Sequence, residues 1–213
     1  MPFLSLPFTT RMTIVRLSWG ELWVHSPIKL NDLVRNQVNS LGTVKFLVAP
    51  NHLHHLFIAD WQCSYPEAIT YGTAEVIKKR KDLAFDYSLN EEQNWPWFPE
   101  IQQVLFTGSP LMEECVFFHK ASEVLIVTDL IENFPPRNFN CWQRLVARGV
   151  GILAPHGKMP IDWRISFMFG KKHARKHLSS IIRWHPKKII MSHGEIVEEQ
   201  AVKFLDKSFS WLI

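Results

Sequence analysis

Apolar and polar positions alternate along the first part of this chain and then give way to a helical spacing. Thr13–Leu17 alternates, Gly20 offers a turn, and Leu22–His25 is apolar again, which predicts a β-hairpin. Leu30, Leu33, Val34, Val38 and Leu41 recur at helical spacing until Gly42. Val44–Ala49 is mostly apolar, the pattern of a strand covered on both faces. A short helical stretch near Leu56–Trp61, a strand at Ala68–Tyr71 and a charged helix at Ala74–Lys81 follow. Residues 82–99 are irregular and hold Trp95 and Trp97 between prolines; such a segment either packs into a core or forms a lid or oligomer contact. Strands are predicted at Val104–Phe106, Cys115–His119 and Val124–Thr128. Helices near Asn138–Arg148, Asp162–Met168 and His173–Arg183 come next, then a strand at Lys188–Ser192 and a closing helix at Glu198–Leu212. Strands interspersed with helices, with no internal repeat and no flexible linker, predict a layered α/β domain.

Composition sharpens this picture. The chain has 213 residues, 46% hydrophobic and 21% charged, which excludes a disordered or low-complexity protein. No apolar run approaches the roughly 20 residues that span a bilayer, so no membrane partner is expected. Residues 1–11 read as an N-terminal extension and residues 12–213 as a single domain. Three widely spaced cysteines, Cys63, Cys115 and Cys141, form neither a disulfide framework nor a metal knuckle, and point to the cytoplasm.

Charge is unevenly distributed. Residues 1–136 hold 10 Lys+Arg against 15 Asp+Glu, whereas residues 137–213 hold 14 against 5. No acidic residue occurs between Trp163 and Gly194. The basic stretch 171–188 reads either as a solvated helix face or as a contact for nucleic acid or an anionic substrate.

Candidate chemistry gathers at three strand ends. Asn51-His52-Leu53-His54-His55 follows the strand at 44–49, Asp129 follows the strand at 124–128, and His193-Gly194 follows the strand at 188–192. Sites in layered α/β proteins collect at such ends. Imidazoles and a carboxylate suit zinc, iron or manganese. The structural alternative for each residue is a helix cap or a satisfied buried histidine. His54 and His55, being neighbours, would bind one metal together only from a loop or a helix start.

These same residues carry a resemblance. Val48–Phe57, Trp61, Tyr65-Pro66, Val116–His119, Leu125–Leu130 and Ser192–Gly194 resemble an uncharacterised family related to the metallo-β-lactamase-like hydrolases, over nearly the whole chain. The resemblance implies a four-layer αββα sandwich of mixed sheets with a metal site at one edge. It implies a metal-activated water attacking an ester, amide, thioester or phosphodiester of a small-molecule or anionic substrate. The superfamily's His-x-His-x-Asp-His motif is incomplete here in either register: Leu56 and Phe57 replace its last two ligands, or Pro50 replaces its first. Asp129 matches the metal-bridging Asp and His193 the last His of the superfamily. The implied ligands are His54, His55, Asp129 and His193, with His52 spare or supporting, around one divalent metal, zinc first and iron or manganese as alternatives. Asp129 is also the candidate to orient the water. The competing readings are a catalytically inactive scaffold that binds a partner, and nucleic-acid binding through residues 171–188. A homo-oligomer fits any of them.

Overall fold

In the computed structural model, which describes residues 2–3, 6–7, 10–91 and 94–212, the chain forms two compact units. One is Arg11–Glu100. The other runs from Ile101 onward and includes the N-terminal residues. Of the expected N-terminal extension, residues 1–11, positions 1, 4, 5, 8 and 9 lie outside the described residues. Its described parts, β1 (Pro2–Phe3) and β2 (Leu6–Pro7), pair antiparallel.

In the Arg11–Glu100 unit, β3 (Thr13–Arg16) and β4 (Glu21–His25) form the expected hairpin. The period of two in β4 sorts its side chains. Leu22 and Val24 enter an aliphatic core, while Trp23 stacks on His25 at 5.4 Å. The next helix, α1 (Asp32–Leu41), starts later than its first apolar residue suggests because Asn31 caps it, accepting from the Val34 amide at 2.9 Å. β5 (Thr43–Ala49) then lies parallel between β4 and β6 (Ile69–Gly72), an inner strand as its mostly apolar run suggests. Helices α2 (Ile58–Ser64) and α3 (Ala74–Lys79) flank β6 in sequence, and β7 (Tyr87–Ser88) closes a mixed sheet of order β3-β4-β5-β6-β7. Trp95 and Trp97 are core residues: Trp97 is fully buried, with ring centroids of Tyr71, Phe46, Trp95 and Trp23 at 4.6, 5.3, 5.5 and 6.1 Å. The irregular segment between prolines is therefore a plug of aromatic surface, not a lid.

In the second unit, β8 (Ile101–Phe106), β9 (Glu114–His119) and β10 (Val124–Val127) form an antiparallel meander. β11 (Lys188–Met191) joins β10 in parallel, giving a second mixed sheet of order β11-β10-β9-β8. Between β10 and β11 the chain passes through α4 (Cys141–Val150), α5 (Ile161–Ser166) and α6 (Lys171–Arg183). α4 opens with a capping box from Asn140 and Gln143. α7 (Ala201–Ser208) follows β11 and presses Ala201 and Leu205 into a core with Leu125, Val127, Leu178 and Ile181. The parallel pairing of β10 and β11 brings their carboxyl ends side by side. Among the described residues, no helix is long and apolar enough to cross a membrane.

Candidate metal centre

The loop that carries Asp129 is built by a carboxylate. Glu114, the first residue of β9, is fully buried and accepts from three consecutive backbone amides: Thr128 at 2.6 Å, Asp129 at 2.8 Å and Leu130 at 3.0 Å. Successive amides converging on one anion form a concave nest, and here the anion is a side chain of the same unit. The nest bends the chain as β10 ends and fixes the backbone from which the Asp129 side chain departs.

His193 arrives from the end of β11. Its Nε2 lies 3.2 Å from Asp129 Oδ1, with side-chain exposures of 12% and 5%. Phe134 lies beside the imidazole, ring centroids 6.1 Å apart. Asn133 fixes this corner. Its amide donates to the His193 carbonyl at 3.1 Å, its carbonyl accepts from the Glu195 amide at 2.8 Å, and its side chain reaches the Glu195 carbonyl at 3.0 Å and the Gly157 amide at 3.2 Å. Gly194 has φ +101°, and a Cβ there would lie 2.2 Å from the Asn133 carbonyl oxygen. Gly194→Ala is therefore expected to cost at least about 2 kcal/mol and to separate His193 from Asp129. Thermal unfolding and metal titration of the variant check this, and an unchanged melting temperature would show that the corner yields without cost.

Glu132 is buried beside this pair, only 6% exposed, and its Oε2 has no hydrogen-bond partner. Burial, reinforced by the Asp129 charge and opposed by His193, pushes its carboxyl up to about 8. The unfolded chain releases this proton near the ordinary value of 4.5, whereas the folded chain keeps it. Its contribution to stability is thus present below about 4.5 and is lost as pH rises toward 8. Relative to the wild type, Glu132→Gln should gain about 3 kcal/mol between pH 5 and pH 8. Denaturant unfolding of both proteins at the two pH values reads this difference; equal gaps at both would contradict it.

The histidine cluster belongs to the Arg11–Glu100 unit, in the loop after β5. Asn51 Oδ1 accepts from the Leu53 and His54 amides at 2.9 and 3.0 Å, an Asx turn that gives this Asn its place before the histidines. The three imidazoles then diverge in function. His52 Nδ1 meets Glu75 Oε2 of α3 at 2.8 Å. His55 Nδ1 accepts from Arg80, which also grips Asp82 with two bonds. Burial first, then the Lys79 and Arg80 charges, push His55 down to about 4, so it is a neutral ring at pH 7. His54 Nδ1 sits 2.5 Å from the Ser26 hydroxyl at the end of β4. Behind it, burial and then the neighbouring His54 push His25 down to about 3.

Among the sequence-derived candidates, Asp129 and His193 are thus brought into contact, and His52, His54 and His55 each have a different partner within their own unit. A nearly buried carboxylate and imidazole held at 3.2 Å by backbone anchors are a candidate metal-binding pair. Glu114, Glu132, Asn133, Ser26 and Glu75 escaped the sequence reading. Of these only Glu132 left a trace, an acid three residues after Asp129 on an otherwise apolar run.

A family model described as a domain of unknown function, DUF4336, matches residues 3–148, more than half of the chain. The chain belongs to the DUF4336 family. No curated protein matches it. Among solved structures, this DUF4336 chain is similar to a metallo-β-lactamase from Pontibacter korlensis, with a TM-score of 0.64, 9% identity, and coverage of 99% of this chain and 90% of that one. It is similar to the DIM-1 metallo-β-lactamase, with a TM-score of 0.61, 13% identity, and coverage of 95% and 86%. It is also similar to the peroxy diiron species of the chemotaxis sensor ODP, with a TM-score of 0.61, 14% identity, and coverage of 96% and 87%. These likenesses give the fold: a metallo-β-lactamase-like α/β fold with two mixed sheets, as the sequence resemblance implies.

Proposed function

We propose that this DUF4336 chain is a metal-dependent hydrolase that holds one divalent transition metal through Asp129 and His193. The contact between Asp129 and His193 carries the reading. It presents one oxygen and one nitrogen donor, both almost out of water, with backbones anchored independently by Glu114 and Asn133. A buried carboxylate and imidazole fit zinc first, and iron or manganese next.

A metal bound there would supply hydroxide from water near neutral pH, suited to an ester, amide, thioester or phosphodiester. The chain's own residues do the rest. Asp129 holds the donor geometry and accepts a hydrogen bond from the water. Glu132, buried beside Asp129 with no hydrogen-bond partner at Oε2, is a further carboxyl of this corner. The excess of Lys and Arg after residue 137 favours a small anionic substrate. Free thiols at Cys63, Cys115 and Cys141 accord with a cytoplasmic setting.

Elemental mass spectrometry of tag-free protein kept from chelators tests the reading. About one metal per chain is expected in the wild type and none in Asp129→Ala/His193→Ala. No metal in the wild type after incubation with zinc, iron(II) and manganese salts overturns it, leaving a metal-free scaffold.

A further inference from the structure

We propose that the corner between α5 and α6 docks on an anionic lipid surface. The observation is an apolar wedge beside cations. Phe169 is 98% exposed, and Ile165, Met168 and Leu111 are each more than half exposed. A large aromatic side chain left almost wholly in water, with aliphatic neighbours, marks a surface that something covers.

The wedge is held from below. Phe167, two residues earlier, is fully buried against Phe106 and Trp211 at 5.7 and 5.8 Å. The backbones of Gly170 and Gly108 touch so closely that a Cβ on Gly170 would lie 1.8 Å from the Gly108 carbonyl oxygen. The hydroxyls of Ser109 and Ser166 bond at 2.6 Å, and Ser109 also receives the Leu111 amide at 2.9 Å. Leu111 is thereby tied to the end of α5.

The cations follow at once. Lys172 and Lys176 are exposed and lie four residues apart on one face of α6. Two like charges at that spacing repel each other, and Lys172, in the first turn, also opposes the macrodipole. Folding gains nothing from them, whereas an anionic surface does. The nearest acid in sequence is Asp162, and none follows until Glu195.

The two alternatives fit less well. A second copy meeting this patch about a two-fold axis would set the cations of one protomer against those of the other. A nucleic acid satisfies the cations but gives Ile165, Met168 and Leu111 nothing to bury against. An anionic bilayer meets both demands, with apolar side chains at the acyl boundary and lysines among the headgroups. Lying on such a surface requires no spanning helix.

Co-sedimentation of the full chain with phosphatidylcholine vesicles, with and without phosphatidylserine, tests the proposal. Binding is expected only to the anionic vesicles and is weakened by salt. Phe169→Ser should weaken it roughly 10-fold. Lys172→Glu/Lys176→Glu should weaken it at least about 10-fold. Both variants alter exposed side chains and keep good helix formers in α6, so unchanged circular dichroism is expected for each. Three results overturn the proposal. One is no binding, or equal binding to both vesicles. Another is dimerisation that Phe169→Ser abolishes, which assigns the patch to a second copy. The last is retention on RNA without vesicle binding, lost in the lysine variant alone.

Discussion

Glu114→Ala is expected to lower stability by about 5 kcal/mol, the sum of three charge-assisted hydrogen bonds lost from a fully buried carboxylate. The cavity itself is small; the cost comes from the Thr128, Asp129 and Leu130 amides, which are left buried with no acceptor. Glu114→Gln should fall between the variant and the wild type. Its amide keeps the shape and one oxygen acceptor but turns an NH2 group toward backbone donors. The effect should extend to the site, because the Asp129 backbone loses its anchor. Urea unfolding measures the first effect and the metal content of the folded fraction the second. A Glu114→Ala protein as stable as the wild type would show that water replaces the carboxylate without loss.

Trp97→Ala is the second large effect, about 4 kcal/mol in the Arg11–Glu100 unit. Trp97 is fully buried, and four aromatic rings have centroids within about 6 Å of its own. Three rings held edge-on and one stacked around a missing neighbour cannot close inward without leaving their rotamers, so the cavity persists. Phe in place of Trp97 should recover much of the loss. Thermal unfolding followed by near-ultraviolet circular dichroism reads both. A cost below about 1 kcal/mol for Trp97→Ala would mean that the aromatic cluster collapses freely.

The strands were legible where burial is two-sided. Val44–Ala49, Cys115–His119 and Val124–Val127 are apolar runs because both faces are covered, and each is a strand. Helix boundaries were less legible. Asn31 and Asn140 set the starts of α1 and α4 by accepting a backbone amide, a signal that competes with nearby apolar residues. Asp129 and His193 were legible because strand ends and ligand types coincide. Glu114 was not, because its partners are backbone amides 14 to 16 residues away, and those carry no residue-type signature. The histidine cluster was legible as a cluster but not as three separate roles. Those roles depend on Glu75, Ser26 and Arg80, which are distant in sequence.

The Asn133 corner also sets an order of events. Its side chain joins Gly157, 24 residues on, and Glu195, 62 residues on. Contacts that close loops of this length form late, after the local hairpins and helices have cleared most of the entropic barrier. The meeting of Asp129 with His193 depends on that corner, so it belongs to the last stage of folding. A metal ion offered during refolding would meet the paired donors only once that corner has closed, so any uptake should follow the recovery of native structure.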